Sequence, residues 1–314
     1  MAARPPAGSE KVAVVGAGLM GHGIAQVFAA AGYQVGVYDP VPAALAAVPE
    51  RIRGNLATTG QAEGAAAAEL LARIALHAEL EGAVAGAAYV TEAAPEDLAL
   101  KQELFERLDA LCPPAVILAT NTSVMSVGEI GARATRRDRV VGTHWWNPPY
   151  LIPLVEVTQA KATSLETVER TVALLAAVGK TPVHVRKDVP GFVGNRLQHA
   201  LWREAIALVA AGICDAETVD TVVKHSFGRR LAVLGPLENA DLVGLDLTLA
   251  IHEYVLPHLD RTPGPSPLLR DKVAKGELGM KTGKGLRAWT PEQAADVRER
   301  LLRYLTRNQA RPDA

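Results

Sequence analysis

Short apolar runs alternate with longer amphipathic stretches through the first half of the chain. Runs of β-branched and apolar residues that predict buried strands occur at residues 11–15, 33–38, 88–92, 115–120, 140–144 and 154–157. Helical spacing predicts a helix over 24–31, one or two helices over 41–83, and another over 98–111. Strands that alternate with helices predict a parallel sheet covered by helices on both faces.

The pattern changes close to Pro190, where strand-like runs end and long helical stretches begin. Val193, Leu197 and Leu201 repeat at every fourth position, which predicts an apolar stripe on one helix. We therefore expect a disordered tail at 1–10, an α/β domain with a doubly wound sheet at 11–187, and an all-helical domain at 188–314.

Composition narrows the class of protein. The 314 residues suit about two domains and need no disulfide or metal staples. The 33 Lys and Arg residues nearly balance 34 Asp and Glu residues, which argues against a nucleic-acid binder. Two cysteines do not suggest a disulfide scaffold or a structural zinc site. Without a signal peptide pattern or an apolar run of about 18 residues, we expect a cytoplasmic protein that does not enter membranes.

A glycine-rich turn follows the first predicted strand and opens the first predicted helix. Its residues are Gly16, Ala17, Gly18, Leu19, Met20 and Gly21, which match the dinucleotide-binding pattern G-x-G-x-x-G. Asp39 ends the next strand, where its carboxylate suits ribose hydroxyls and repels a 2′-phosphate. The context predicts a Rossmann-type domain that binds NAD rather than NADP. The alternatives are a turn that binds FAD or no ligand.

His144 and Glu156 are the candidate acid–base pair. His144 ends a predicted strand, where ligands bind in doubly wound sheets, and its ordinary pKa suits proton abstraction from an alcohol. Glu156 lies among apolar neighbours and needs a partner if it is buried. The alternative, which the pattern supports equally, is a core histidine bonded to backbone and a solvated glutamate. No H-E-x-x-H or similar spacing predicts a metal site.

Seven short motifs occur in order over residues 12 to about 250. They are the glycine turn with Val14 and Val15, Glu92-Ala93-Ala94-Pro95-Glu96 with Lys101, Asn121-Thr122-Ser123, His144-Trp145-Trp146-Asn147-Pro148, Leu154-Val155-Glu156-Val157, Pro190-Gly191-Phe192-Val193-Gly194-Asn195-Arg196, and Gly235-Pro236 ahead of 241–246. Together they resemble the L-3-hydroxyacyl-CoA dehydrogenase family, including its lambda-crystallin/L-gulonate 3-dehydrogenase and carnitine dehydrogenase relatives.

The resemblance implies an enzyme of fatty acid metabolism that oxidises a 3-hydroxyacyl-CoA with NAD, and a homodimer formed through the helical substrate domain. It also implies roles for individual residues: His144 as general base, Glu156 as its partner, Ser123 and Asn195 as contacts of the substrate oxygen, and Glu96, Lys101 and Asn147 as lining of the cofactor site.

Two features depart from acyl-CoA members of that family. Residues 40–89 contain no lysine and only three arginines, which offers little charge to a CoA nucleotide. Trp145 and Trp146 are bulky residues beside the predicted base. They either narrow the mouth of the pocket, stack on a planar or cationic group, or pack a domain interface. A free 3-hydroxy acid such as L-gulonate, 3-hydroxybutyrate or carnitine is therefore the alternative substrate. A crystallin-like structural protein or an NAD-binding sensor is the non-enzymatic alternative.

Overall fold

The protein is described by a computed structural model that covers residues 10–308. The tail expected to be disordered, 1–10, thus lies outside the described residues except for Glu10. The chain forms two compact units, one that reaches to Asn195 and one that begins at Arg196. Within the described range, no helix has both the length and the apolar composition that a bilayer crossing needs.

The first unit is built on an eight-stranded sheet, which confirms the doubly wound α/β architecture. The strand order is β3-β2-β1-β4-β5-β6-β7-β8. The strands are β1 Lys11–Val15, β2 Gln34–Tyr38, β3 Ile74–His77, β4 Ala87–Glu92, β5 Ile117–Thr120, β6 Val140–Trp145, β7 Leu154–Thr158 and β8 Thr181–Val185. Because β2 and β4 lie on opposite sides of β1, the order reverses there and opens a crevice at the carboxyl ends of β1 and β4.

Helices connect the strands and then continue alone after β8. Those that begin in the first unit are α1 Gly21–Ala30, α2 Pro42–Ala46, α3 Val48–Thr59, α4 Gly64–Ala72, α5 Leu80–Val84, α6 Leu98–Leu111, α7 Val127–Ile130, α8 Leu165–Ala177 and α9 Gly194–Ala210. Those of the second unit are α10 Ala216–His225, α11 Pro236–Val243, α12 Leu245–Val255, α13 Pro267–Ala274 and α14 Pro291–Asn308.

Two apolar cores cover the two faces of the sheet. Successive residues of a strand point to opposite faces, so Val14 joins the core that contains Phe28, and Val15 joins the core that contains Phe105. Helix α1 has nine buried residues, and five of them join the first of these cores. The glycine turn that precedes α1 is therefore held firmly between β1 and the helix.

The sheet is not wholly parallel, which corrects the sequence-based prediction. Strand β7 pairs antiparallel with β6, and β8 runs parallel with β7. Only residues 146–153 connect β6 to β7. A parallel pairing needs a crossover of about a dozen residues or more, so this short connection requires the chain to reverse. The reversal places His144 directly opposite Glu156 in the ladder.

Strand β8 was not predicted. Strand β3 was also missed, since residues 41–83 were predicted to form one or two helices. Its four residues Ile74–His77 form the edge of the sheet beside β2, and two of them are exposed. So short an edge strand in an Ala- and Leu-rich stretch has no alternation long enough to distinguish it from a helix.

The helical unit leaves many large apolar side chains at its surface. None of helices α10 to α13 has a buried residue. Leu237 is 80% exposed and Val233 is 76% exposed. The predicted stripe of Val193, Leu197 and Leu201 is likewise exposed. Exposed apolar side chains in such number favour an interaction surface on this unit.

Candidate active site

The glycine turn has the geometry that dinucleotide binding requires. Gly16 has a φ of +106°, and a Cβ there would lie 2.6 Å from the Ala93 carbonyl oxygen. A Cβ at Gly21 would lie 1.7 Å from the Gly16 carbonyl oxygen, so only glycine lets α1 approach the turn. A Cβ at Gly18 would meet no atom within 4 Å, and 67% of Leu19 is exposed. The turn thus has room for a pyrophosphate against the N-terminus of α1, which begins directly after Met20.

Asp39 fixes this turn as well as facing the crevice. Its Oδ2 accepts a hydrogen bond from the Ala17 N–H at 2.7 Å, and its Oδ1 accepts one from the Val41 N–H at 2.8 Å. Arg51, on α3, donates to the Ala17 carbonyl oxygen at 3.1 Å and so places a cation beside the same turn. His22 donates from Nδ1 to the Gly18 carbonyl oxygen at 2.7 Å, and burial lowers its pKa.

A buried ion pair lies at the carboxyl end of β4. Lys101 and Glu92 are fully buried, and their Nζ and Oε1 atoms are 2.6 Å apart. Oε1 of Glu92 also accepts the Ala94 N–H, and Oε2 accepts the Thr120 hydroxyl, each at 2.6 Å. Lys101, predicted to line the cofactor site, therefore lies beneath the crevice, where it supports the turn after β4.

Glu96 connects that turn to the segment that carries Ser123. Its carboxylate accepts the Ser123 N–H at 2.6 Å and the Thr122 hydroxyl at 2.9 Å. Lys101 Nζ lies 3.7 Å from the same carboxylate. The half-buried Ser123 follows β5 at the crevice, as its position after a parallel strand predicts.

His144 and Glu156 form a buried pair across the β6–β7 ladder. His144 is 4% exposed and Glu156 is 1% exposed, and Nδ1 of the imidazole lies 2.7 Å from Oε2 of the carboxylate. A carboxylate accepts the hydrogen, so Nδ1 carries a proton and Nε2 is left as the basic nitrogen of the neutral ring. The alternative of a core histidine bonded to backbone with a solvated Glu156 is therefore wrong.

The other oxygen of Glu156 is held by main chain. Val193 and Gly194 donate their N–H groups to Oε1 at 2.9 and 3.0 Å. Burial favours the neutral acid, but hydrogen bonds from His144, Gly194 and Val193 outweigh burial, and the pKa of Glu156 is lowered. The carboxylate is thus ionised at neutral pH, as a partner for an imidazolium must be.

Phe192 turns the chain into this arrangement. Its φ is +49°, the only positive φ of a non-glycine residue in the described range, and its side chain is buried. Such a conformation costs about 1–2 kcal/mol. The Phe192 ring packs against the imidazole of His144, with ring centroids 5.7 Å apart. The residue with the unfavourable backbone conformation is therefore in direct contact with the candidate base.

Asn195 and Asn147 complete the predicted residues. Nδ2 of Asn195 donates to the Ser123 carbonyl oxygen at 2.9 Å, which brings the start of α9 next to Ser123. Asn147 is exposed immediately after Trp146. Nearby, Asn121 accepts the Trp145 N–H at 3.0 Å and joins the ends of β5 and β6.

The two tryptophans lie in different environments. Trp145 is 2% exposed in the core beside Phe28, with the Lys180 ammonium 5.5 Å from its ring. Trp146 is half-buried and its ring centroid lies 5.0 Å from that of His144. The Nε1–H of each indole is buried with no acceptor among the described residues.

Sequence reasoning missed Glu92, Arg51 and the amide donors at 193 and 194. Glu92 had a readable signal, since an acid that ends an apolar strand needs a partner, and Lys101 follows nine residues later. The main-chain donors had no signal, because backbone groups carry no sequence identity. No cluster of three or more potential metal ligands occurs among residues 10–308.

Family models match nearly the whole chain. The 3-hydroxyacyl-CoA dehydrogenase NAD binding domain matches residues 11–189, and the 3-hydroxyacyl-CoA dehydrogenase C-terminal domain matches residues 191–289.

Three curated relatives carry different names. The chain is 34% identical over 298 residues to 5-formyl-3-hydroxy-2-methylpyridine 4-carboxylate 5-dehydrogenase of Mesorhizobium japonicum, over 94% of this chain and 95% of that protein. It is 41% identical to a probable 3-hydroxybutyryl-CoA dehydrogenase of Bacillus subtilis, over 88% and 96%. It is 40% identical to L-carnitine dehydrogenase of Streptomyces coelicolor, over 83% and 80%.

Among solved structures, the crystal structure of an NAD-dependent 5-formyl-3-hydroxy-2-methylpyridine 4-carboxylic acid 5-dehydrogenase has a TM-score of 0.87 with this chain at 33% identity. It covers 95% of this chain and 96% of its own.

Proposed function

This chain belongs to the 3-hydroxyacyl-CoA dehydrogenase family, and we propose that it oxidises a 3-hydroxyacyl substrate, such as 3-hydroxybutyryl-CoA, to the 3-keto product with NAD. His144 is the general base and Glu156 is its partner. The single observation that carries this proposal is the buried pair at 2.7 Å, with Nε2 left as the basic nitrogen.

The cofactor site is proposed at the glycine turn. Gly16, Gly18 and Gly21, with Leu19 and Met20 between them, hold the pyrophosphate, and Asp39 accepts the ribose hydroxyls. When bound, NAD⁺ supplies a hydride acceptor for the carbinol carbon. Glu96 and Asn147 line this site, and Lys101 supports it through Glu92.

The proposed mechanism uses four side chains of the first unit. Ser123 and His144 hydrogen-bond the substrate hydroxyl, and Nε2 of His144 takes its proton. Glu156 keeps the proton of Nδ1 on the far side of the ring and stabilises the imidazolium that forms. Asn195, anchored to the Ser123 carbonyl, contacts the substrate oxygen. A positioned base of this kind contributes roughly a hundredfold to ten-thousandfold.

The test is a comparison of His144→Gln with the unmodified protein. We expect kcat with 3-hydroxybutyryl-CoA, followed as NADH at 340 nm, to fall by about a hundredfold or more, while the Kd for NADH changes little. Unchanged turnover in the variant would remove His144 from the chemistry.

A free hydroxy acid is the second candidate substrate. It is favoured by the lysine-free stretch at 40–89 and by relatives named for carnitine and for a pyridine carboxylate. A panel of 3-hydroxybutyryl-CoA, 3-hydroxybutyrate, gulonate and carnitine separates the classes by kcat/KM. No turnover of any compound, with NADH still bound, would instead support a sensor or a crystallin-like role.

The helical unit is proposed to form a homodimer. Support comes from its exposed apolar side chains, which include Leu237, Val233 and Leu242. A cytoplasmic location and a role in fatty acid metabolism accompany the acyl-CoA proposal.

A further inference from the structure

Trp146 lies beside the proposed base, whereas its neighbour Trp145 fills the core. Alternation along and just beyond β6 explains the difference, because residues 144 and 146 share one side and residue 145 faces the other. Trp145 contacts Phe28 in the core of the opposite side. Only the second indole of the pair is therefore placed to meet a substrate of His144.

The Trp146 ring is held in place by its neighbours. A Cβ at Gly194 would lie 2.4 Å from Cζ2 of the indole, so the ring edge rests on the glycine backbone. Its centroid is 5.0 Å from that of His144, with an angle of 49° between the rings. Phe192 packs on the imidazole as well, at 5.7 Å and 48°. The base is thus bordered by two aromatic rings that cannot easily turn away.

Packing alone does not account for an indole at this position. Trp146 is only half-buried, so part of its surface stays accessible to solvent while its ring contacts the imidazole of His144. Its buried Nε1–H has no acceptor among the described residues, which is unfavourable in the free protein. A phenylalanine would present an aromatic ring to the imidazole without a donor that needs an acceptor.

We propose that Trp146 determines substrate specificity by stacking on a flat aromatic ring that carries the reacting alcohol. This inference rests on the base and the cofactor site of the proposed function, and it assigns to that site a second substrate class besides the 3-hydroxyacyl compounds. An aromatic pair in an offset-stacked or tilted geometry gains more than the area it buries would give, so an indole face favours a flat ring over an acyl chain of equal area. The lysine-free stretch at 40–89, which offers little charge to a CoA nucleotide, agrees with a small ring substrate.

The reaction on such a substrate is the same two-electron oxidation. A hydroxymethyl group on the ring loses its hydroxyl proton to Nε2 of His144 and a hydride from its carbon to NAD⁺. The C–H bond breaks as the C=O bond forms, and the products are an aromatic aldehyde, NADH and a proton.

The experiment compares two ring alcohols of one substitution pattern, 3-(hydroxymethyl)benzoate and 3-(hydroxymethyl)cyclohexanecarboxylate. The ratio of their kcat/KM values is measured for the unmodified protein, Trp146→Leu and Trp146→Phe, with 3-hydroxybutyryl-CoA as a common reference. Intrinsic reactivity differs between the alcohols, but it cancels when the ratio is compared between variants. Trp289→Leu, which removes another half-buried tryptophan, is the matched control.

We expect Trp146→Leu to lower the aromatic-to-saturated ratio roughly two- to tenfold, the range that one aromatic pair contributes. Trp146→Phe keeps an aromatic face and is expected to retain most of the ratio, and Trp289→Leu to leave it unchanged. If the indole N–H also donates to an acceptor that both alcohols carry, Trp146→Phe lowers kcat/KM equally for the two alcohols, and the aromatic-to-saturated ratio does not change.

Three results overturn the inference. The first is an unchanged ratio in Trp146→Leu. The second is that the unmodified protein oxidises 3-hydroxybutyryl-CoA but neither oxidises the aromatic alcohol nor is inhibited by it. This result would contradict the inference about Trp146 and leave the proposed function intact. The third, with carnitine added to the panel, is a fall in kcat/KM of Trp146→Leu for carnitine alone, which would make the indole a cation binder. If His144→Gln does not impair any substrate, the proposed function fails first.

Discussion

The two carboxylate oxygens of Glu156 have different hydrogen-bond partners. One oxygen meets the imidazole and the other accepts two main-chain N–H groups. Hydrogen bonds to a charged acceptor are among the stronger ones in proteins, which is why the acid stays ionised in spite of its burial. The imidazole is therefore fixed in tautomer and in orientation before a substrate arrives.

We expect Glu156→Gln to lower kcat by about a hundredfold or more, since the equivalent change in a serine triad costs about ten-thousandfold. The variant also tests the lowered pKa of Glu156. A carboxyl with a lowered folded pKa stabilises the fold above its unfolded value and loses this contribution as pH falls through the folded value.

The free energy of unfolding should therefore favour the unmodified protein over Glu156→Gln at pH 7, and the gap should narrow below about pH 4.5. Urea unfolding of both proteins at pH 7 and at acid pH measures it. A gap that stays constant with pH would contradict the assignment of an ionised, hydrogen-bonded carboxylate.

Asp39 is expected to affect cofactor choice and the turn together. Asp39→Ala removes the acceptors of the Ala17 and Val41 N–H groups and the charge that repels a 2′-phosphate. We expect NADH to bind more weakly and the preference of NADH over NADPH to fall. Fluorescence titration with both nucleotides gives the ratio.

Asp39→Asn keeps one acceptor oxygen and is the control for the turn. A preference that is unaltered in both variants would mean that the ribose is recognised elsewhere.

At the scale of elements, much of the first unit was predictable. Apolar runs bounded by glycine or acid located β1, β2, β4, β5, β6 and β7, and helix α6 begins and ends where its spacing predicted. Edge strands β3 and β8 and the reversal at β7 were missed. Each edge strand is too short to show a period, and the reversal required attention to the length of 146–153 rather than to its composition.

The residues of the candidate site were likewise predictable only in part. Side chains at or just beyond the carboxyl ends of strands, such as His144 and Ser123, were predictable because a parallel sheet brings these ends together. Glu156, in the middle of β7, was predicted as an acid that needs a partner when buried. The support of Glu156 by 193 and 194, and of Ser123 by Glu96, depends on loop conformations that a single sequence does not specify.

The Lys101–Glu92 pair joins α6 to β4, and we expect Lys101→Met to destabilise the fold by about 3–5 kcal/mol. The reason is that Glu92 would remain buried without its cation. Lys275→Met, which breaks a mostly exposed pair with Asp271, is the matched control and should have little effect. Equal midpoints of urea unfolding for the two variants would contradict a buried, charged Lys101.

At the scale of the whole molecule, the exposed apolar surface of the second unit predicts a particle of twice 33.2 kDa. Leu237→Glu places a charge on this surface at a side chain that is 80% exposed, and we expect it to shift the protein towards the monomer. Leu165→Glu, at an exposed leucine of the first unit, is the control. Sedimentation that finds only 33.2 kDa particles of the unmodified protein would refute the dimer.

The β6–β7 hairpin contains residues that are restricted by strand pairing and residues that are not. His144 and Glu156 belong to the rungs of the ladder, where a shift of one residue would turn a side chain to the wrong face. Trp146 belongs to the loop that joins the two strands, where a substitution that keeps the loop length leaves the pairing of β6 with β7 intact. We therefore expect substitutions in this loop to change which substrates are accepted while His144 and Glu156 keep their pairing.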